Sequence, residues 1–169
     1  SSTSRGLGDV YKRQASISSG CSKNTYFFYH GVASGDPLDD RVILWTRVTP
    51  QQAGPLEAIL EISENKNFSS VIFSKKLQTS SLSDYTIKYD FLAKQYCDSD
   101  KGFFYRFRAG NEISEIGKSR TFSENTIAAK IGIFSCSNFP AGYFNAYQAA
   151  AKKNDLDLWL HLGLSLIHI

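Results

Sequence analysis

The chain has 169 residues, 42% of them hydrophobic and 21% charged, a balance that supports one or two packed domains and excludes a disordered segment. No run of 18 apolar residues occurs, which excludes a membrane-spanning helix. The net charge of +3 owes much to Arg5, Lys12 and Arg13, so it marks no basic face and gives no nucleic-acid-binding role.

In chain order, the first segment is not expected to belong to the fold. Asp9 to Gln14 reads DVYKRQ and Leu164 to Ile169 reads LSLIHI. These are translations of the transposase mosaic end of sequencing libraries and of its reverse complement. Residues 1–14 and 164–169 are therefore expected to be adaptor-derived and are set aside, which makes Ala15 to Gly163 a fragment of a longer gene. Residues 15–25 read as the end of a signal or linker region. Small residues precede Cys21 in Ser18-Ser19-Gly20-Cys21, a weak lipoprotein-like ending that makes Cys21 a candidate lipid anchor.

Residues 26–125 carry the composition of strands. Phe27 to Ala33, Val42 to Val48, Leu56 to Ile62, Val71 to Leu77, Asp84 to Ala93, Phe103 to Ala109 and Lys118 to Phe122 are rich in Phe, Tyr, Val, Ile and Thr. Thr86-Ile87-Lys88-Tyr89-Asp90-Phe91 alternates apolar and polar residues, the pattern of a strand with one face on a core. Gly35-Asp36-Pro37, Pro50 to Gly54, Glu64 to Asn67, Asp98 to Gly102 and Gly110-Asn111 supply turn chemistry. Seven short strands in about 100 residues predict a fibronectin- or immunoglobulin-like β-sandwich. Trp45, with Val42 and Leu44, is assigned to its core. Arg106 and Arg108 alternate with Tyr105 and Phe107 and read as a solvent face. His30 to Pro37 reads as a tight strand-to-strand corner, and Cys97 as a free cysteine or one that pairs with a partner outside the chain.

A different pattern covers residues 126–163. Lys130 to Cys136 is an apolar run that reads as a buried strand. Pro140 suits the first turn of a helix, and Tyr143, Phe144, Tyr147, Ala150 and Ala151 recur at helical spacing. Leu156 to Leu162 is a second apolar run. Strand, helix and strand in this length predict a βαβ unit with a parallel pair, the first unit of a truncated α/β domain. One such unit cannot bury both of its faces, so apolar strand surface should be exposed. The boundary falls near Glu124 to Ala129.

Catalytic and ligand sites in open α/β sheets gather at the carboxyl ends of strands. Cys136 lies at such an end, beside Ser135, Ser137 and Asn138. A thiolate there serves as a nucleophile or a metal ligand, and the bland alternative is a small buried hydrophobe. His161-Leu162-Gly163 ends the second strand at the same edge, where His161 either lines the site or is a satisfied histidine. Asp155 and Asp157 sit at the opposite end and read as a solvated turn.

Two stretches carry a family resemblance. Phe28-Tyr29-His30-Gly31-Val32-Ala33-Ser34-Gly35-Asp36-Pro37, followed by Arg41-Val42-Ile43-Leu44-Trp45-Thr46-Arg47-Val48, resembles the opening of the alkaline phosphatase D (PhoD-like) family of phosphatases and phosphodiesterases. Phe134-Ser135-Cys136-Ser137-Asn138-Phe139, Gly142-Tyr143-Phe144-Asn145-Ala146-Tyr147 and His161-Leu162-Gly163 resemble the start of that family's catalytic domain. The resemblance implies a fibronectin-like domain joined to a calcineurin-like metallophosphatase domain in an exported protein that hydrolyses phosphate esters. It implies iron and calcium in the parent enzyme, with Cys136 as an iron ligand, and gives His161 no ligand role. The family's next residue after His-Leu-Gly is a metal-bridging Asp, where this chain has Leu164. The chain itself is therefore expected to be inactive and to bind no iron stably. The alternative is a non-catalytic β-sandwich binding or spacer module of an exported protein. A cysteine hydrolase built on Cys136 and His161 lacks an orienting acid.

Overall fold

The computed structural model describes residues 26–98, 102–123, 126–137, 143–153 and 155–163. The expectations for residues 1–25, including Cys21, for Asn138, Pro140 and Gly142, and for residues 164–169 lie outside the described residues. What is described is mostly β-strand with one short helix, and no helix in it is long and apolar enough to cross a membrane.

The first strands are β1 (Tyr26–Phe27), β2 (Val32–Gly35), β3 (Val42–Arg47), β4 (Thr49–Pro50), β5 (Leu56–Ser63) and β6 (Val71–Thr79). After them come β7 (Thr86–Phe91), β8 (Phe103–Ala109), β9 (Glu112–Ile113) and β10 (Gly117–Ser119). One antiparallel sheet has the order β2-β3-β7 and a second has the order β10-β8-β5-β6, with β9 also on β8. A further short pair joins β1 to β4. The two main sheets share one core. Val42 and Leu44 of β3 and Ile87 and Phe91 of β7 meet Leu60 and Ile62 of β5 and Phe103 and Phe107 of β8. Phe91 stands at the crossing, with ring centroids 5.1 Å from both Phe73 and Phe103. Offset and edge-on aromatic pairs of this kind add about 0.5–1.5 kcal/mol each beyond the area they bury.

Strand periodicity decides which side chains enter. The alternation expected at Thr86 to Phe91 holds, with Ile87 and Phe91 buried and Lys88 and Asp90 exposed. Trp45 is not in the core, contrary to expectation. Val42, Leu44 and Thr46 occupy the inward positions of β3, and Trp45 falls on the outer face opposite Ala33 and Lys88. Thr46 is tolerated inside because its hydroxyl donates to the Gly31 carbonyl at 2.8 Å. The corner expected at His30 to Pro37 is divided. A turn with Gly31 at φ 65 leads into β2, and Asp36 at φ 51 ends it.

The Arg106–Arg108 face does point outward, but Glu61 of β5 holds both cations. Arg106 Nε donates to Glu61 Oε2 at 2.7 Å and Arg108 donates to Oε1 at 2.9 Å. Arg106 also lies 4.0 Å above the Phe68 ring.

The last elements are β11 (Ile131–Phe134), α1 (Asn145–Ala151) and β12 (Leu158–His161). β11 and β12 pair in parallel, with α1 between them in sequence. The strand expected to be buried at Lys130 to Cys136 is half-exposed: Ile131 is 46% and Ile133 62% accessible. Among the described residues one helix of two turns leaves much of this pair uncovered. Asp157 is not a solvated turn either. It accepts from the Lys130 N–H at 2.8 Å and pairs with Arg120 at 2.7 Å, tying the segment after β10 to the parallel pair.

Two outcomes test this packing. A Cβ on Gly117 would fall 2.3 Å from Tyr105 Cζ, inside the buried core. Gly117→Ala should lower stability by about 1–3 kcal/mol, as overpacking does, and an unchanged urea midpoint would contradict the packing. Burial pushes the Glu61 carboxyl up, but the two arginines more than offset it and hold it below its ordinary 4.5. Its contribution is therefore present above pH 4.5 and lost as pH falls through the lower folded value. Glu61→Gln should be less stable at neutral pH and show a flatter loss of stability on acidification; an unchanged acid limb would contradict the pairing.

Candidate functional site

Parallel pairing brings two carboxyl ends to one edge. Phe134 is in register with His161. The ladder continues past both strands, with Leu162 N–H donating to the Phe134 carbonyl at 2.8 Å and Cys136 N–H to the Gly163 carbonyl at 3.1 Å. Cys136, Ser137, His161 and Gly163 thus converge, as their strand-end positions predict. Cys136 is exposed and free, not at the end of a buried strand. Its backbone is left-handed at φ 59, a conformation that costs a non-glycine residue about 1–2 kcal/mol.

The His161 ring is engaged at both nitrogens. Gly163 N–H donates to Nδ1 at 3.1 Å, so this hydrogen-bond pattern assigns the neutral ring's hydrogen to Nε2. Nε2 lies 2.8 Å from Tyr147 Oη and 3.3 Å from Ser137 Oγ, and the two hydroxyls are bonded to each other. With Nε2–H donating to Tyr147 Oη, either hydroxyl of the Tyr147–Ser137 pair can donate to the other. In this tautomer both ring nitrogens have partners, Nδ1 the Gly163 N–H and Nε2 the two hydroxyls.

Tyr147 reaches the edge because α1 lies on the aromatic residues of the parallel pair. Its ring is 5.1 Å from Phe134, and Phe134 is 5.2 Å from Trp159. Helical spacing places Tyr147 on the apolar face of α1, but the destination of its hydroxyl follows only from the packed structure. Asp155 and Asp157 sit at the opposite end of β12, as expected, and the Lys130 ammonium beside Asp155 holds that carboxyl below its ordinary value.

The chemistry of Cys136 is of the kind that can ligate a metal. It offers an exposed soft donor on a hydrogen-bonded turn at a strand end. No three of His, Cys, Asp or Glu converge on a metal-sized site among the described residues.

The N-terminal domain of PhoD-like phosphatases matches residues 14–123, and the PhoD-like phosphatase domain matches residues 131–165. The chain belongs to the PhoD-like phosphatase family. Alkaline phosphatase D of Bacillus subtilis (strain 168) is 32% identical over 154 residues, which cover 83% of this chain and 25% of that protein. The solved structure of PhoD aligns with a TM-score of 0.74 at 28% identity, over 85% of this chain and 29% of that one. The chain thus spans little more than a quarter of these PhoD-like relatives.

The two described cysteines should differ in reactivity. Burial, with Glu64 nearby, pushes the half-buried Cys97 thiol up to about 11, while Cys136 is exposed. Iodoacetamide at pH 7.5, followed by peptide mass, should label Cys136 well before Cys97. Earlier labelling of Cys97 would contradict the placement of both.

Proposed function

We propose that the chain carries the N-terminal domain and the opening of the catalytic domain of a metal-dependent phosphoric ester hydrolase, with Cys136 as one metal ligand. The observation that carries this reading is the order of the two family matches, the N-terminal domain ahead of the phosphatase domain. The convergence of Cys136 with the His161–Gly163 segment at one sheet edge supports the role of Cys136.

On this reading the two antiparallel sheets are a fibronectin-like sandwich, and β11, α1 and β12 form a right-handed βαβ unit that opens a calcineurin-like domain. Family resemblance supports iron with calcium, export of the parent protein, and phosphate mono- or diesters as substrates. Bound metals would neutralise phosphate oxygens and orient the attacking oxygen. Cys136 would contribute the thiolate, which suits iron better than calcium. The other donors would come from the longer chain that the relatives possess. These 169 residues alone are expected to hydrolyse nothing.

A chimera tests this. Residues 26–163 would replace the matching segment of the Bacillus alkaline phosphatase D, with bis(p-nitrophenyl) phosphate as substrate. The chimera should turn over. Cys136→Ser should lower kcat by about 100-fold or more, since even a supporting partner of a ligand is worth 10–100-fold. A folded chimera without activity, or one indifferent to Cys136→Ser, would overturn the reading.

A further inference from the structure

We propose that His161 is a positioning residue that, through Tyr147 and Ser137, locks the left-handed turn carrying Cys136. The hydrogen bonds form a closed circuit around that turn. Cys136 N–H donates to the Gly163 carbonyl, and Gly163 N–H donates to His161 Nδ1. From Nε2 the circuit passes to Tyr147 Oη and Ser137 Oγ, and Ser137 is bonded covalently to Cys136. Three elements meet in it: the end of β11, helix α1 and the end of β12.

Burial does not account for His161. The residue is exposed, so it is not a core histidine whose nitrogens happen to be satisfied. Its ring reaches two places that no aliphatic side chain can. Nδ1 accepts the backbone N–H two residues ahead, and Nε2 faces hydroxyls from two other elements. Ring stacking on Tyr147, 6.2 Å between centroids and 20° between planes, fixes the orientation. Left-handed backbone at Cys136 is unfavourable for a residue with a Cβ and persists only where neighbours over-determine it. The Gly163 carbonyl takes the Cys136 N–H on one side of that residue, and on the other the Ser137 side chain reaches Tyr147 and His161. His161 fixes Gly163 through its N–H and lies 3.3 Å from Ser137 Oγ. The use of the circuit, presenting Cys136 as a donor, rests on the phosphatase reading; the circuit itself does not.

Residue-resolved amide exchange on the 169-residue chain tests it. In His161→Ala, the amides of Cys136 and Gly163 should exchange at least tenfold faster, while amides of β5 and β8 keep their protection. His161→Asn retains an acceptor at the Nδ1 position and should restore protection at Gly163. His161→Gln retains a donor near the Nε2 position and should restore part of it at Cys136. Tyr147→Phe should speed exchange at Cys136 by a smaller factor. Exchange at Cys136 within twofold of the parent in His161→Ala would overturn the proposal, as would Asn and Gln variants no better than Ala. If His161→Ala also loses protection in β5 and β8, Tyr147→Phe decides: faster exchange at Cys136 supports the circuit, unchanged exchange refutes it. An inactive chimera that still shows a protected Cys136 would count against the phosphatase reading and not against the circuit.

Discussion

Everything at the functional edge depends on the register of one parallel pair. Phe134 opposite His161 places both strand ends at the same level, and the next two backbone hydrogen bonds carry the chains outward together. A slip of one residue would turn each side chain to the other face of the pair. His161 would then leave Tyr147, and Cys136 would lose the Gly163 carbonyl. A parallel pair needs a crossover, and the crossover here supplies helix α1, whose Tyr147 completes the hydrogen-bonded set. The connection that makes the pairing feasible also furnishes part of the site.

The pair has little cover of its own. Ile131, Ile133 and Leu162 are exposed, whereas the inward residues of the two antiparallel sheets are almost fully buried. The stable body of the chain is therefore the two-sheet core around Phe91. Among the described residues one link to the parallel pair is polar: Arg120 meets Asp157, and the same carboxylate accepts the Lys130 N–H that leads into β11. A carboxylate committed to both a guanidinium and a backbone donor is directional, so it sets where β11 begins relative to the sheets.

Much of this was legible in the sequence because it rests on periodicity. The alternation from Thr86 to Phe91 and the strand–helix–strand order after Lys130 both translated into the elements seen. Family motifs around His30 to Val48 and Phe134 to Gly163 pointed to the PhoD-like family that the comparisons show. Trp45 departs from its assignment beside Val42 and Leu44 because strand phase, fixed by those two residues, puts it on the outer face. The hydroxyl of Tyr147 could not be placed, since a contact among three elements exists only once register and crossover are set. Nor does sequence show the left-handed backbone of Cys136, a residue type that rarely adopts it. The role of Glu61 was hidden for the same reason. Its two arginine partners lie on a strand distant in sequence and meet it only through the β5–β8 ladder.

The central proposal is that Cys136 serves as a metal donor at the edge of the parallel pair. X-ray absorption at the iron edge, on the iron-loaded chimera with and without Cys136→Ser, tests it most directly. The account predicts a sulfur atom bonded to iron that disappears in the serine variant. Iron bound with only oxygen and nitrogen neighbours in both proteins would contradict it.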